Sequence, residues 1–144
     1  MKFSTKGRYG LRAMLEMAVN RGQGPVALHA IARNQGISER YLEQLFIPLK
    51  RAGLVKSIRG SQGGYVLKRD PKDITVGDII RILEGPISPV ECVNEEDPEK
   101  CSREARCVTR KIWTEVRESI NGILDSYTLA DLVLASQETS VKES

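Results

Sequence analysis

All three cysteines of the chain fall within one seventeen-residue stretch, ECVNEEDPEKCSREARC, as Cys92, Cys101 and Cys107. Their neighbours are charged or polar, unlike the apolar surroundings of a core cysteine. Thiols gathered in this way can ligate a metal or undergo reversible oxidation. Lys100, Arg103 and Arg106 adjoin Cys101 and Cys107, and positive neighbours favour the reactive thiolate. Structural zinc sites usually contain a close Cys-x(2–4)-Cys pair, whereas the spacing here is Cys-x8-Cys-x5-Cys. Metal ligation, by zinc or another ion, and a thiol switch remain open on these residues.

The elements around the thiols follow from periodicity. The segment from Pro86 to Cys107 has three prolines and no sustained apolar repeat, so a loop is expected. After it, Val108, Ile112, Val116, Ile120 and Leu124 recur every four residues, joined by Trp113 and Ile123. That pattern predicts a long amphipathic helix. Isolated, such a helix is marginal in water, so its stripe needs a partner surface: a second copy of the chain is the expected one, with folding back on its own domain as the alternative. TLADLVLAS predicts a short final helix, and QETSVKES a polar, frayed tail.

Before the loop, Leu11, Met14, Leu15, Ala18 and Val19 form a helical stripe, with Ser4 or Thr5 as cap and Gly22 and Gly24 as stop. A shorter helix buries Leu28, Ile31 and Ala32 and stops at Gly36. Ser38 caps a third helix with a Leu42, Leu45, Phe46 and Leu49 stripe, ending at Gly53. Two helices across a short glycine turn make a helix-turn-helix. LVKSIRGSQGGYVLKR then reads as two strands about a glycine turn, a wing. Thr75 and Asp78 form a capping-box variant that opens a fourth helix burying Val76, Ile79, Ile80 and Leu83. The expected fold is mainly α with a small β-hairpin wing: a winged helix-turn-helix plus a long C-terminal dimerisation helix. Its parts are a winged domain over 1–85, a cysteine loop over 86–107, the dimerisation and final helices over 108–136, and a tail over 137–144.

Charge separates the halves. Residues 1–69 hold 13 Lys or Arg against 3 Asp or Glu, and residues 70–144 hold 9 against 16. The basic half suits a phosphate-rich partner, and the acidic half would be repelled by one. Double-stranded DNA fits: a helix enters the major groove and its first residues meet base edges. Arg40, Glu43 and Gln44 lie opposite the leucine stripe near the start of the third helix, which Ser38 opens. Arginine can grip guanine, glutamine adenine, and glutamate can accept from cytosine. Glu43 has the alternative of an intrahelical pair or a solvated side chain. Lys2, Lys6, Arg8 and Arg12, with Lys50, Lys56 and Lys68, are expected on phosphate. Arg59 at the wing tip suits a narrow minor groove. Tyr9 and Tyr41 either donate to phosphate or edge the core. No run of apolar residues nears the length of a membrane span, and MKFSTKGRYG lacks a secretory h-region, so a cytoplasmic protein is expected. No nucleotide-binding glycine loop or catalytic triad is visible, and the lone His29 has no evident partner, so no enzyme is expected.

These motifs carry a resemblance. STKGRYGLRAML, GPVALHAIA, GISERYLEQLF, LKRAGLVKSIRGSQGGYVL and ITVGDIIRILEG resemble the winged-helix regulators typified by IscR, NsrR and CymR, from Met1 to about Leu134. EGPISPVE is most similar to the cysteine-metabolism branch, the cysteine trio to the iron–sulfur branch. The resemblance implies a homodimeric repressor or activator whose long helices cross between subunits. It implies that Cys92, Cys101 and Cys107 hold an iron–sulfur cluster, of the 2Fe–2S kind in the IscR type, which alters operator choice. It places Arg40, Glu43, Gln44 and Arg59 at base-reading positions, although a serine is expected where Arg40 stands.

Two departures bear on the cluster. The family spacing is Cys-x5-Cys-x5-Cys, three residues shorter in its first interval, a loop difference of small entropic cost. The family's histidine, three residues past the last cysteine, is replaced by Arg110, which cannot ligate iron. The acidic ligand used in NsrR-type proteins matches Arg8, which cannot serve either. A fourth ligand is then a solvent-derived group or one of the weak candidates His29, Glu43 and Glu104. Alternatives of the same fold are a cysteine-metabolism, redox or nitric-oxide responsive repressor, signalled by a partner protein, by thiol oxidation or by a 4Fe–4S cluster.

Overall fold

The computed structural model describes residues 2–94 and 107–143. Helix α1 spans Thr5–Val19, α2 Leu28–Gln35 and α3 Glu39–Arg51. Strands β1 (Val55–Ile58) and β2 (Gly64–Leu67) pair antiparallel, with Val55 opposite Leu67 and Ile58 opposite Gly64. Helix α4 covers Val76–Glu84, α5 Arg110–Ser126 and α6 Leu129–Glu143. Among the described residues the chain is mostly helical with one hairpin, consistent with the winged helix-turn-helix that the periodicity predicts.

The caps explain the boundaries. Ser4 accepts at 3.2 Å from the Lys6 N–H, and Ser38 at 3.1 Å from the Tyr41 N–H. Both satisfy donors that a helix start leaves open. Thr75 and Asp78 complete a reciprocal box at the start of α4, at 2.9 and 3.0 Å. The same Thr-x-x-Asp chemistry opens α6, where Thr128 and Asp131 cap each other at 2.9 and 3.1 Å.

One core joins Met14 of α1, Ile31 of α2, Leu42, Phe46 and Leu49 of α3, Ile74, Ile79 of α4 and Leu129 of α6. A second, smaller cluster sets Val76, Ile80 and Ile87 against Ile120, Leu124 and Leu132. The buried face of α1 is Gly7, Gly10, Ala13, Met14, Met17 and Ala18. This shifts the stripe predicted from the larger residues: Leu11 and Leu15 are half-buried and Val19 is exposed. The reason is close approach to α4. A Cβ at Gly10 would collide with Leu83, so small residues, not large ones, mark the contact. Glu84 adds a polar tie, its carboxylate accepting from the Ser4 N–H at the positive end of α1.

The C-terminal part has two features beyond the helices predicted for it. Leu129 is fully buried in the winged core, and backbone bonds Val76 N–H to Tyr127 O and Leu129 N–H to Ile74 O, both 2.9 Å, bind it there. Helix α6 therefore packs on the winged unit against α1, while α5 packs on α4. Helix α6 also runs to Glu143 instead of stopping near residue 136 before a frayed tail. Residues 129–143 contain no Gly or Pro, and Gln137, Glu138, Lys142 and Glu143 are good helix formers. Among the described residues, no helix is long and apolar enough to cross a membrane.

Candidate nucleic-acid interface and cysteine segment

The turn between α2 and α3 is set by Gly36, which takes a left-handed conformation at φ 67°. The Ile37 N–H then closes onto the Ala32 carbonyl at 3.0 Å. Leu42, Leu45, Phe46 and Leu49 are buried, so the opposite face of α3 is turned outward. Arg40, Glu43, Gln44, Ile47 and Arg51 are all exposed there. Three predicted readers thus share one face, with Ser38 at its start.

Helix α1 braces α3. Thr5 Oγ1 and the Tyr41 hydroxyl are 2.8 Å apart. The Tyr9 and Tyr41 rings meet edge to face at 6.4 Å, and Arg12 stacks over Tyr9 at 5.4 Å. Tyr41 is therefore a strut between helices; its hydroxyl, able to donate and accept, keeps one bonding capacity beyond Thr5. Lys6 and Arg8 are exposed on the same first turns of α1.

The wing is clamped at its base. Val26 pairs with Tyr65 through two backbone bonds of 2.8 and 2.9 Å. A Cβ on Gly64 would collide with the Val26 carbonyl oxygen, and one on Gly63 with that of Ile58. The glycines are thus required by backbone approach as well as by the turn. The Phe46 and Tyr65 rings meet edge to face at 4.9 Å, fixing the wing to α3. Lys50 Nζ donates to Ser57 Oγ at 3.1 Å, a second link between these elements. Lys56 and Arg59 project into solvent from β1 and from the loop beyond it.

The cysteine segment is tied to α5. Cys92 is half-buried in a 3-10 turn, Glu91–Val93, whose Val93 is buried. Arg117 donates to the Val93 carbonyl, and Asn121 donates to the Ile87 carbonyl at 3.0 Å. Asn121 in turn accepts from Arg81 at 2.7 Å, and Arg81 also pairs with Asp125. Cys107, half-buried three residues before α5, lies 3.2 Å from the Thr109 hydroxyl. Arg117, Asn121 and Asp125 recur at every fourth residue beside the apolar stripe. Sequence reading passed over this polar row, although its spacing was a usable signal.

Cys101 and Glu104 lie outside the described residues. His29 is exposed on α2 and Glu43 on the outward face of α3. Among the described residues, no group of three or more His, Cys, Asp or Glu side chains is placed to hold a metal ion. Arg110 is the first residue of α5.

A sequence model of the Rrf2 family, described as an iron-dependent transcriptional regulator, matches residues 3–135. The chain belongs to the Rrf2 family of transcriptional regulators. Among Rrf2-family relatives, it is 54% identical over 132 residues to the HTH-type transcriptional regulator CymR of Bacillus subtilis, covering 92% of this chain and 89% of that protein. It is 42% identical over 133 residues to the regulator IscR of Serratia proteamaculans, covering 92% and 79%. The solved structure of B. subtilis CymR, described as the global cysteine regulator, superposes with a TM-score of 0.81 at 51% identity, covering 94% of this chain and 98% of that one. IscR of T. potens superposes at 0.78 and 49% identity, covering 96% and 90%. Both Rrf2 branches are therefore close in sequence and in fold.

Proposed function

We propose that this Rrf2-family regulator acts as a homodimer on operator DNA and reports iron–sulfur cluster status through Cys92, Cys101 and Cys107. In this reading α3 enters the major groove. Arg40, Glu43 and Gln44 meet base edges, Arg59 enters the minor groove, and Lys6, Arg8 and Lys56 hold phosphate. The dimer forms along α5. That helix has no buried residue among those described, and Ile112 and Ile123 are 53% and 60% exposed. They lie eleven residues apart, three turns along one face, which a second copy would cover.

The observation that carries the sensing role is the lacing of the cysteine segment to α5. Arg117 holds the backbone beside Cys92 at Val93, Asn121 holds the start of the same segment at Ile87, and Cys107 sits beside the start of α5. A change at the thiols thus bears on the helix that sets the distance between two readers. Three thiolates suit iron at three ligand positions, and half-burial of Cys92 and Cys107 leaves them within reach of a cluster. Arg110 offers no fourth donor, so the donor set fits a cluster, 2Fe–2S by resemblance, with one non-thiolate ligand from His29, Glu104 or solvent, Glu43 being committed to the groove. When bound, the cluster supplies an oxidation-sensitive link between the ends of the loop. The chain's own part is to transmit order: a restrained loop restrains the first turn of α5. The state with the tighter cluster is then favoured by its differential affinity alone.

A second reading is supported by the 54% identity to CymR: a regulator of cysteine metabolism, signalled by a partner protein or by thiol oxidation. Anaerobic reconstitution with iron and sulfide counts, followed by DNA binding with and without cluster, separates the two. About two irons and two sulfides per chain and a changed operator preference are expected for the 2Fe–2S reading. Absence of both iron and sulfide favours the second.

A further inference from the structure

The outward face of α3 carries one side chain that forms no hydrogen bonds. Arg40, Glu43, Gln44 and Arg51 are polar, and Ile47, one turn on from Glu43 and Gln44, is 54% exposed among them. Pairing with a second protein is a poor explanation for it. Apolar interaction patches cover a few hundred Å², and here the adjoining exposed positions on the helix are Glu43, Gln44, Lys50 and Arg51. The major groove displays donors, acceptors and a single apolar group, the 5-methyl of thymine.

We infer that Ile47 selects thymine by packing against its 5-methyl group in the major groove. The inference rests on the proposed placement of α3 in that groove. Ile47 is suited to the task. A β-branched side chain on a helix has one strongly preferred χ1 rotamer, so little freedom is lost on docking. Burying one methyl group contributes about a fourfold gain in affinity. A helical turn rises about 5.4 Å, and base pairs are spaced about 3.4 Å. The selected thymine therefore lies within about two base pairs of the base met by Glu43 or Gln44.

The test starts from a pool of randomised duplexes, from which the full-length wild-type protein selects its preferred sequence. Each thymine of that sequence is then replaced singly by deoxyuridine, which removes only the methyl. Binding is measured for wild type and for Ile47→Ala, with circular dichroism as the check on folding. Ile47 is exposed, so Ile47→Ala should fold, and Ile47→Val, which retains the branched end, serves as a second variant with near wild-type behaviour. One thymine per half-site is expected to cost wild type about fourfold on methyl removal and to cost Ile47→Ala nothing. Equal uridine effects on both proteins at every thymine would overturn the inference alone. Failure of wild type to enrich any sequence would overturn the groove placement of α3 before uridine is introduced, and the inference with it.

Discussion

The hydroxyl oxygens of Thr5 and Tyr41 lie 2.8 Å apart, joining the first turn of α1 to the first turn of α3. The bond couples the basic turn that carries Lys6 and Arg8 to the helix that carries Arg40, Glu43 and Gln44. Both residues are on the rim of the core, so the bond positions more than it stabilises. A double-mutant cycle of Thr5→Val and Tyr41→Phe, read by urea denaturation, is expected to give a coupling of about 0.5–1 kcal/mol. A coupling of zero would mean that the two helices are oriented by the rings and the shared core, without this bond.

The wing gives a sharper structural prediction. Gly64 has no room for a side chain, because its Cβ would collide with the Val26 carbonyl oxygen and stand 2.9 Å from the Ala27 nitrogen. Gly64→Ala should destabilise the fold by about 1–3 kcal/mol and weaken DNA binding by displacing Arg59. Thermal denaturation and a binding titration together check this; an unchanged melting temperature would contradict the clamp.

Arg59 and Lys56 should separate by the kind of contact they make. Lys56→Ala is expected to weaken binding to all sequences alike and to reduce the salt dependence by about one phosphate's worth. Arg59→Ala should also lower the ratio of operator to random affinity, by roughly tenfold. Glu43→Ala should broaden the operators bound without cluster. Equal losses on operator and random DNA for Arg59→Ala would remove its reading role.

The uncovered face of α5 predicts the oligomeric state. Placing a charge in a face buried between two copies is costly. Ile123→Glu, alone or with Ile112→Glu, is expected to yield a folded monomer in analytical ultracentrifugation, with loss of high-affinity binding to two-fold operators. A dimer that survives both changes would put the interface elsewhere.

Cys92 is half-buried in a surface turn and lies in neither apolar cluster. Cys92→Ala should therefore abolish iron and sulfide incorporation while leaving a folded dimer. Metal analysis and sedimentation test the two halves of that statement, and an unfolded variant would assign the thiol a structural role.

Local chemistry was legible in the chain itself. The caps at Ser4, Ser38 and Thr75, the left-handed Gly36 and the wing glycines each act over a few residues, so sequence spacing suffices to find them. The face of α3 that holds Arg40, Glu43 and Gln44 follows from helical period, because a buried leucine stripe compels the opposite side outward. Tertiary structure alone decided the rest. The buried face of α1 is marked by Gly7 and Gly10, whose value lies in what α4 brings against them. Leu129 enters the winged core from across the chain, and α5 leaves one apolar edge covered and another bare. The links among Arg81, Asn121, Arg117 and the backbone near Cys92 span up to forty residues. Such contacts depend on where distant elements come to rest, and the energy that selects them is shared over the whole core, so no short stretch of residues records it.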